Sequence, residues 1–298
     1  MRLQSCQPLI AGVGSLLAEI WYIGRHTAQA LLGERKRVKK RTERTSTYRK
    51  LSILGFEMVR GGHNFYALLE FDVSDLRREL RQYRQRSGGG SFFVFILKAI
   101  GTCLREFPEF NSMINRLKKT TFYEVDIDIP IEIAKDEEIY NRQQIIRNIS
   151  EKTVNEIETE IRKAKSDSGE QRSYMSSSLG QRIITTLPKW LVMAVFRLIL
   201  RNHRLVKSFS GTAFVTSVSM FSNAPGHVIP FTGGPKAVSF AVGSVVQKPV
   251  VRKNEIQIRE ILHLTAVFNH DLVDGAPAAR FINQLRRYIE TDYRALLD

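Results

Sequence analysis

The sequence contains few cysteines, which excludes a fold built on disulfides. Its 298 residues include two, Cys6 and Cys103, too few for the framework of bridges that small secreted domains use. We therefore expect a reducing, cytoplasmic environment. Because 43% of the residues are apolar, the chain can bury a sizeable core without covalent cross-links.

Long hydrophobic runs are also missing. The apolar stretch at residues 8–18 is too short to cross a bilayer and is followed by Glu19. It has no clear cleavage site, which argues against a signal peptide. The spacing of apolar residues predicts an amphipathic helix at residues 9–32. We divide the chain into a helical and basic N-terminal arm, residues 1–47, and a globular domain, residues 48–298.

Acidic residues are scarce in two segments that carry most of the net charge of +15. Residues 34–50 hold nine basic and two acidic residues, and residues 181–210 hold six basic and no acidic ones. This excess predicts attraction to a polyanion: anionic lipid, an acidic carrier protein or a phosphorylated cofactor such as coenzyme A. Nucleic acid is a poor candidate, because the basic segments lack interleaved aromatic residues.

Metal-ligand spacing is absent as well. The histidines do not fall at ligand spacing from cysteines or acidic residues, so we expect no metal site. They include His203, His227, His263 and His270.

The periodicity of the sequence predicts a mixed α/β sheet with helices packed on it. Strands are predicted at residues 65–73, 122–134, 213–221, 236–245 and 255–268. Helices are predicted at residues 52–62, 73–86, 91–107, 150–167 and 276–290. A turn at residues 247–255 favours antiparallel pairing of the strands on either side.

A histidine follows the last predicted strand, in the stretch FNHDLVDGAPAARF at residues 268–281. His270 therefore lies in a connection between a strand and a helix, where reactive groups are often positioned. A purely structural interpretation is also open. Asp274 can be the N-cap of the following helix, Gly275 a tight-turn residue and His270 an ordinary loop histidine.

The pattern H-x-x-x-D-G followed by A-x-A-A-R-F resembles the active-site signature of the dihydrolipoyl acyltransferase catalytic domain of 2-oxo acid dehydrogenase complexes. The stretches RKLSILGFEMVRGGHNFYALLEFDVSDL, FFVFILKAIGTCLREFPEFNSMI and GTAFVTSVSMF are similar to that family in the same order. The resemblance extends over about residues 48–298. It implies a two-layer fold of the chloramphenicol acetyltransferase type.

This resemblance implies acyl transfer between coenzyme A, or a carrier thiol, and an unknown acceptor. His270 is then the general base, with its second ring nitrogen bonded to its own carbonyl group. Asp274 is a structural residue held by Arg49, with Lys50 as the other candidate. Thr216, with Ser217 beside it, supplies the hydroxyl that stabilises the oxyanion. The resemblance also implies a homotrimer, or a multiple of trimers, with active sites at subunit boundaries.

The sequence departs from the family in three respects. Residues 1–47 show neither a lipoyl lysine hairpin nor a subunit-binding module. The usual Asp-His-Arg is replaced by Asn269-His270-Asp271, and residues 134–145 lack the usual glycine-leucine-x-x-proline segment. An alternative function is therefore a degenerate family member that acts as a scaffold or partner subunit. The presence of His270 and Asp274 favours the enzyme.

An insertion is expected at residues 168–210. Within it, residues 187–207 combine an apolar stretch with flanking basic residues. Three interpretations remain open for this segment: a helix lying in an anionic membrane surface, the wall of an acyl-chain pocket, or a buried helix with a basic rim. The first would make the protein peripherally membrane-associated.

Overall fold

The computed structural model describes residues 21, 22, 25, 47–58, 62–115, 117–135, 138–166, 186–218, 224–230 and 234–297. The chain forms two compact units, Met1–Ser46 and Thr47–Asp298. In the first unit residues 21, 22 and 25 are helical, and the rest of the predicted arm lies outside the described residues. The second unit contains the sheet and the candidate site.

The second unit is built on a six-stranded mixed sheet, which confirms the predicted α/β fold. The strand order is β1-β8-β7-β6-β4-β5, with parallel pairing of β6 to both β4 and β7 and antiparallel pairing elsewhere. The strands are β1 (Asn64–Asp72), β4 (Ile127–Lys135), β5 (Glu138–Ile146), β6 (Ala213–Ser217), β7 (Val238–Arg252) and β8 (Glu255–Asn269). A separate hairpin pairs β2 (Ser112–Asn115) with β3 (Lys118–Thr121).

Seven helices are described in this unit. They are α1 (Thr47–Met58), α2 (Ser74–Ser87), α3 (Phe92–Glu106), α4 (Val154–Ser166), α5 (Lys189–Leu200), α6 (His203–Ser210) and α7 (Gly275–Glu290). Short 3-10 turns occupy Pro108–Phe110, Ile149–Glu151 and Tyr293–Leu296.

The core lies between one face of the sheet and the helices α2, α3, α4 and α7. Helix α3 is apolar on most of its surface, and nine of its residues are buried, as expected of a central helix. Phe281 of α7 is fully buried against the rings of Phe110, Phe240 and Phe268. These aromatic contacts fix the end of β8 against the first turns of α7.

The structure corrects the predicted turn between the last two strands. The segment at 247–255 is not a loop: β7 runs to Arg252, and β8 begins at Glu255. The reversal is made by Lys253 and Asn254, both with positive φ, as a two-residue hairpin turn requires. Three strands were not predicted, namely β2, β3 and β5, and β4 begins five residues later than expected.

The apolar segment 187–207 forms the two helices α5 and α6. Val192 is the buried residue of α5, whereas Trp190 and Leu198 are 71% and 64% exposed. In the single chain α5 is therefore half-buried rather than enclosed, with Trp190 and Leu198 on its exposed face.

Candidate active site

His270 is positioned by the pairing of the first and last strands of the sheet. Asn64 of β1 lies opposite Asn269 of β8, and the backbone N–H of His270 donates to the carbonyl of His63 at 2.7 Å. This backbone hydrogen bond extends the pairing of β1 and β8 by one residue. The backbone of His270 is therefore fixed at the end of the sheet. Its ring packs edge-on against Phe65, with 5.1 Å between ring centroids.

A compact turn then carries the chain from His270 into α7. The backbone N–H groups of Leu272 and Val273 donate to the carbonyl of Asn269, and its side-chain oxygen accepts from the N–H of Asp271 at 3.0 Å. Val273 is buried and anchors the turn in the core. The turn thus holds the His270 side chain at the surface, where it is 53% exposed and accessible to a substrate.

The carboxylate of Asp274 lies next to the imidazole ring of His270. Its Oδ1 lies 3.4 Å from His270 Nδ1, which is an electrostatic contact rather than a short hydrogen bond. A carboxylate on this side favours a proton on Nδ1 and leaves Nε2 as the basic nitrogen. The geometry thus differs from the expected bond between the ring and the residue's own carbonyl group.

The structure changes the expected roles of Asp274 and Gly275. Asp274 occupies the N-cap position of α7, but its side chain makes no capping hydrogen bond. The carboxylate is 82% exposed, so this single chain does not hold it as a buried partner of Arg49, which lies on the exposed surface of α1. Gly275 is the first residue of α7, has no positive φ and has open space around it. The tight-turn role is therefore wrong.

A second imidazole lies beside the site and was missed by the sequence analysis. His63 Nδ1 is 2.8 Å from Asp271 Oδ1, so the pair links the residue before β1 to the residue after His270. The sequence offered a signal for this contact, because Asp271 stands where the family has an arginine. The partner could be found only after β1 was placed next to β8.

Thr216 lies in β6, in a different part of the sheet. Gly211, two residues before β6, fixes where the strand begins. Its φ is +62°, and a Cβ atom at this position would lie 2.6 Å from the carbonyl oxygen of Asp126. Asp126 in turn accepts from Arg147 at 2.8 Å and from the backbone of Asn148 at 2.9 Å. A strand that begins this close to β4 requires glycine at its entrance.

Thr216 and Ser217 are on opposite faces of the sheet, because side chains alternate along a strand. Val215 is buried in the helix-covered core, so Ser217 shares its face and Thr216 points to the other one. The structure therefore separates the two hydroxyls, and Thr216 is the one that faces away from the helices.

Within one chain, His270 and Thr216 are far apart. Thr216 lies opposite Ala241 of β7, and Ala241 lies opposite Thr265 of β8. His270 is five residues beyond Thr265, which is about 17 Å along the strand and about 10 Å across two strands, or about 20 Å in all. One chain alone therefore cannot bring this hydroxyl to the base.

Among the described residues, no group of three or more His, Cys, Asp or Glu side chains is arranged to hold a metal ion.

The chain belongs to the family of 2-oxoacid dehydrogenase acyltransferase catalytic domains, whose family model matches residues 63–185 and 201–297. This match confirms the resemblance found in the sequence.

Curated relatives come from several organisms. The chain is 24% identical to the lipoamide acyltransferase component of the branched-chain alpha-keto acid dehydrogenase complex of Bacillus subtilis, over 76% of this chain and 46% of that protein. It is 22% identical to the Bos taurus succinyltransferase component of the 2-oxoglutarate dehydrogenase complex, over 74% of this chain and 40% of that protein. The chain thus spans less than half the length of these two relatives.

Solved structures agree in fold. A dihydrolipoamide acetyltransferase of Azotobacter vinelandii superposes with a TM-score of 0.66 at 16% identity, covering 89% of this chain and 97% of that one. A probable dihydrolipoamide acetyltransferase of Listeria monocytogenes gives a TM-score of 0.60 at 22% identity, covering 86% and 98%. The predicted fold class is confirmed.

Proposed function

We propose that the protein transfers an acyl group between coenzyme A, or a carrier thiol, and an acceptor nucleophile, with His270 as general base. One observation carries this proposal. The ordered turn after β8 presents His270 to solvent with Nδ1 facing Asp274, at 3.4 Å. This arrangement leaves Nε2 free to accept a proton from a thiol or hydroxyl group.

In the proposed reaction the acyl group passes directly from the donor thioester to the acceptor thiol. His270 Nε2 takes the proton of the attacking thiol, and the thiolate adds to the thioester carbonyl. The resulting oxyanion accepts a hydrogen bond from the Thr216 hydroxyl of a neighbouring subunit. When the intermediate collapses, the carbon–sulfur bond of the donor breaks and the departing thiolate recovers the proton from His270.

The Azotobacter enzyme supports these roles. Its structure was analysed for the catalytic roles of a serine, a histidine and an asparagine, the last two being four residues apart. In the present chain Asp274 likewise follows His270 by four residues, and Thr216 offers the hydroxyl. The residue at this position is an aspartate in the present chain, so a carboxylate oxygen faces His270 Nδ1 at 3.4 Å.

We further propose a homotrimer, or a multiple of trimers, as the active form. The separation of about 20 Å between His270 and Thr216 in one chain is far longer than the 2.7–3.1 Å that an oxyanion donor requires. If a neighbouring copy supplies Thr216, its hydroxyl group can lie within hydrogen-bonding distance of the oxyanion formed beside His270. A pyruvate dehydrogenase relative of known structure forms a cubic core, which shows that this fold can assemble further.

The substrates are proposed from the resemblance to the family and from the net charge of the chain. Coenzyme A is expected as acyl donor or acceptor, and an acidic acyl carrier protein is an alternative thiol carrier for this basic chain. Asp271, which is bonded to His63 at 2.8 Å, is the residue directly after His270. We expect it to influence which acceptor binds, because a carboxylate stands where the family has an arginine.

The proposal is tested by measuring thiol release from a panel of acyl-coenzyme A donors with wild type, His270→Ala and His270→Asn. We expect both variants to lose about 10²–10⁴ in rate while keeping the wild-type melting temperature. Tyr123→Ala, which changes an exposed aromatic residue, is the matched control. Full activity in the His270 variants would contradict the proposal. No activity in the wild type with any donor would favour the scaffold alternative.

A further inference from the structure

The helices α5 and α6 expose a surface that combines large apolar side chains with arginines. We define it as the α5–α6 surface. Its apolar members are Trp190, Val195, Leu198 and Leu205, and its basic members are Lys189, Arg197, Arg201 and Arg204, all of them exposed.

The two helices are firmly attached through their opposite faces. Val192 of α5 and Val206 of α6 are buried, and the ring of His203 is hydrogen-bonded to Thr120 at 2.7 Å. Asn202 caps α6 by accepting from the backbone N–H groups of Arg204 and Leu205. The apolar side chains of the α5–α6 surface are therefore held in solvent by the fold.

The family model does not cover α5. It matches the chain up to residue 185 and again from residue 201, so all of α5 lies between the two matched ranges, whereas α6 lies inside the second. No single helix in the described part of the chain is long and apolar enough to span a bilayer, and α5 has 12 residues. A short amphipathic helix with basic and aromatic residues is typical of interfacial binding.

The charges favour one kind of occupant for this surface, an anionic one. Within the described residues Arg197, Arg201 and Arg204 form no ion pair with a carboxylate, whereas Lys189 is paired with Glu57 at 2.6 Å. A second copy placed on this surface through the same patch, as in a twofold dimer, would bring like charges together, and a trimer contact would need an acidic surface on the neighbouring chain to face these arginines. An anionic bilayer supplies both a phosphate layer for the arginines and an apolar layer for the side chains between them.

We propose that the α5–α6 surface docks the protein reversibly on an anionic membrane, with Trp190 and Leu198 inserted at the level of the headgroups. Tryptophan is favoured at this depth because it combines a large apolar ring system with a polar N–H group. The arginines remain with the lipid phosphates. The active site need not contact the lipid for this docking to occur.

Vesicle sedimentation tests the proposal without any catalytic assay. We expect wild type to sediment with phosphatidylcholine–phosphatidylserine vesicles at low salt, and to remain in solution with pure phosphatidylcholine. Each basic residue contributes about fivefold to binding. Arg197→Glu or Arg204→Glu changes the charge by two, so either substitution should weaken binding by about 25-fold. Trp190→Glu and Leu198→Glu should weaken it on every anionic vesicle.

Two controls match these substitutions elsewhere on the molecule. Ile258→Glu changes an aliphatic residue that is 75% exposed, and Arg81→Glu changes an exposed arginine of α2. Both should bind vesicles like wild type. In a Trp21→Phe background Trp190 is the remaining tryptophan, and its emission should shift to the blue with anionic vesicles.

Three results would overturn the proposal. The first is equal loss of binding in the control and patch variants, and the second is an unshifted Trp190 emission. The third combines two measurements: wild type does not bind vesicles, and Leu198→Glu changes the molecular mass of the assembly measured by light scattering. That outcome would identify the α5–α6 surface as a contact between copies. Failure of acyl transfer would affect none of these readouts.

Discussion

Mixing two inactive variants should restore activity if the active site forms between subunits. His270→Ala removes the proposed base and should cost about 10²–10⁴ in rate. Thr216→Ala removes the proposed oxyanion donor and should cost about 10²–10³. Each variant assembly alone is then almost inactive, because every site in it carries the same defect.

The register of the sheet determines the expected recovery. Thr216 is level with Thr265, about 20 Å from His270, so the two must come from different chains at each site. In a random one-to-one assembly a site is intact only where a Thr216→Ala chain supplies the histidine and a His270→Ala chain supplies the hydroxyl. Half of the chains qualify on each side, so about a quarter of the sites should be active in a random mixture, and about a third in trimers selected to contain both chains.

The assay is thiol release by assemblies that are co-expressed with two tags and purified over both. Thr216→Ala chains mixed with chains that carry both substitutions serve as control, since they can form no intact site. Mixed assemblies no more active than the mean of the two parents would refute a site shared between subunits. Recovery over both tags shows that each purified assembly contains both chains, and light scattering on the same samples reports whether the assemblies are intact.

Three further predictions concern stability and pH. Phe281→Ala should lower the free energy of unfolding by about 3–5 kcal/mol, measured by urea denaturation, because a fully buried ring leaves a cavity. Gly211→Ala should cost about 1–3 kcal/mol from its left-handed backbone alone, with a further penalty from the contact with Asp126, whereas Gly55→Ala has open space and should be tolerated. Burial raises the pKa of Asp128 to about 6, so the folded state binds its proton more tightly than the unfolded state does, and stability falls as pH rises from about 4 to about 6. Asp128→Asn should remove this loss of up to about 3 kcal/mol, and a constant difference between the two proteins across melts at pH 4–7 would contradict it.

The last strand and the histidine after it were predictable because their signals are local. The alternation of apolar residues in β8 and the helical spacing after Gly275 are both visible in short windows of sequence. The strand β5 was missed because its residues are mainly polar. It is an edge strand that pairs with β4 alone, so backbone bonding to one neighbour and the buried side chain of Ile146 at its end hold it in place.

The turn predicted at residues 247–255 includes Pro249, which the structure places within a strand. It lies in β7 opposite Ile258, beyond the part of β7 that pairs with β6, so its missing N–H faces an open edge. The contacts of the site were the hardest to predict. Asp271 pairs with His63, which is 208 positions away, and such a contact depends on strand order rather than on local sequence.

The pairing of β1 with β8 also constrains how the chain is made. Asp72 of β1 lies opposite Ile261 of β8, so the ribosome must add about 190 residues before the partner strand exists. At 5–20 residues per second this interval lasts roughly 10–40 s. During that time β1 exposes both strand edges, and the apolar helix α3 has no sheet to cover. Nascent chains of this protein should therefore depend on holding chaperones, and their folding should be slow because the closing contact is so distant in sequence.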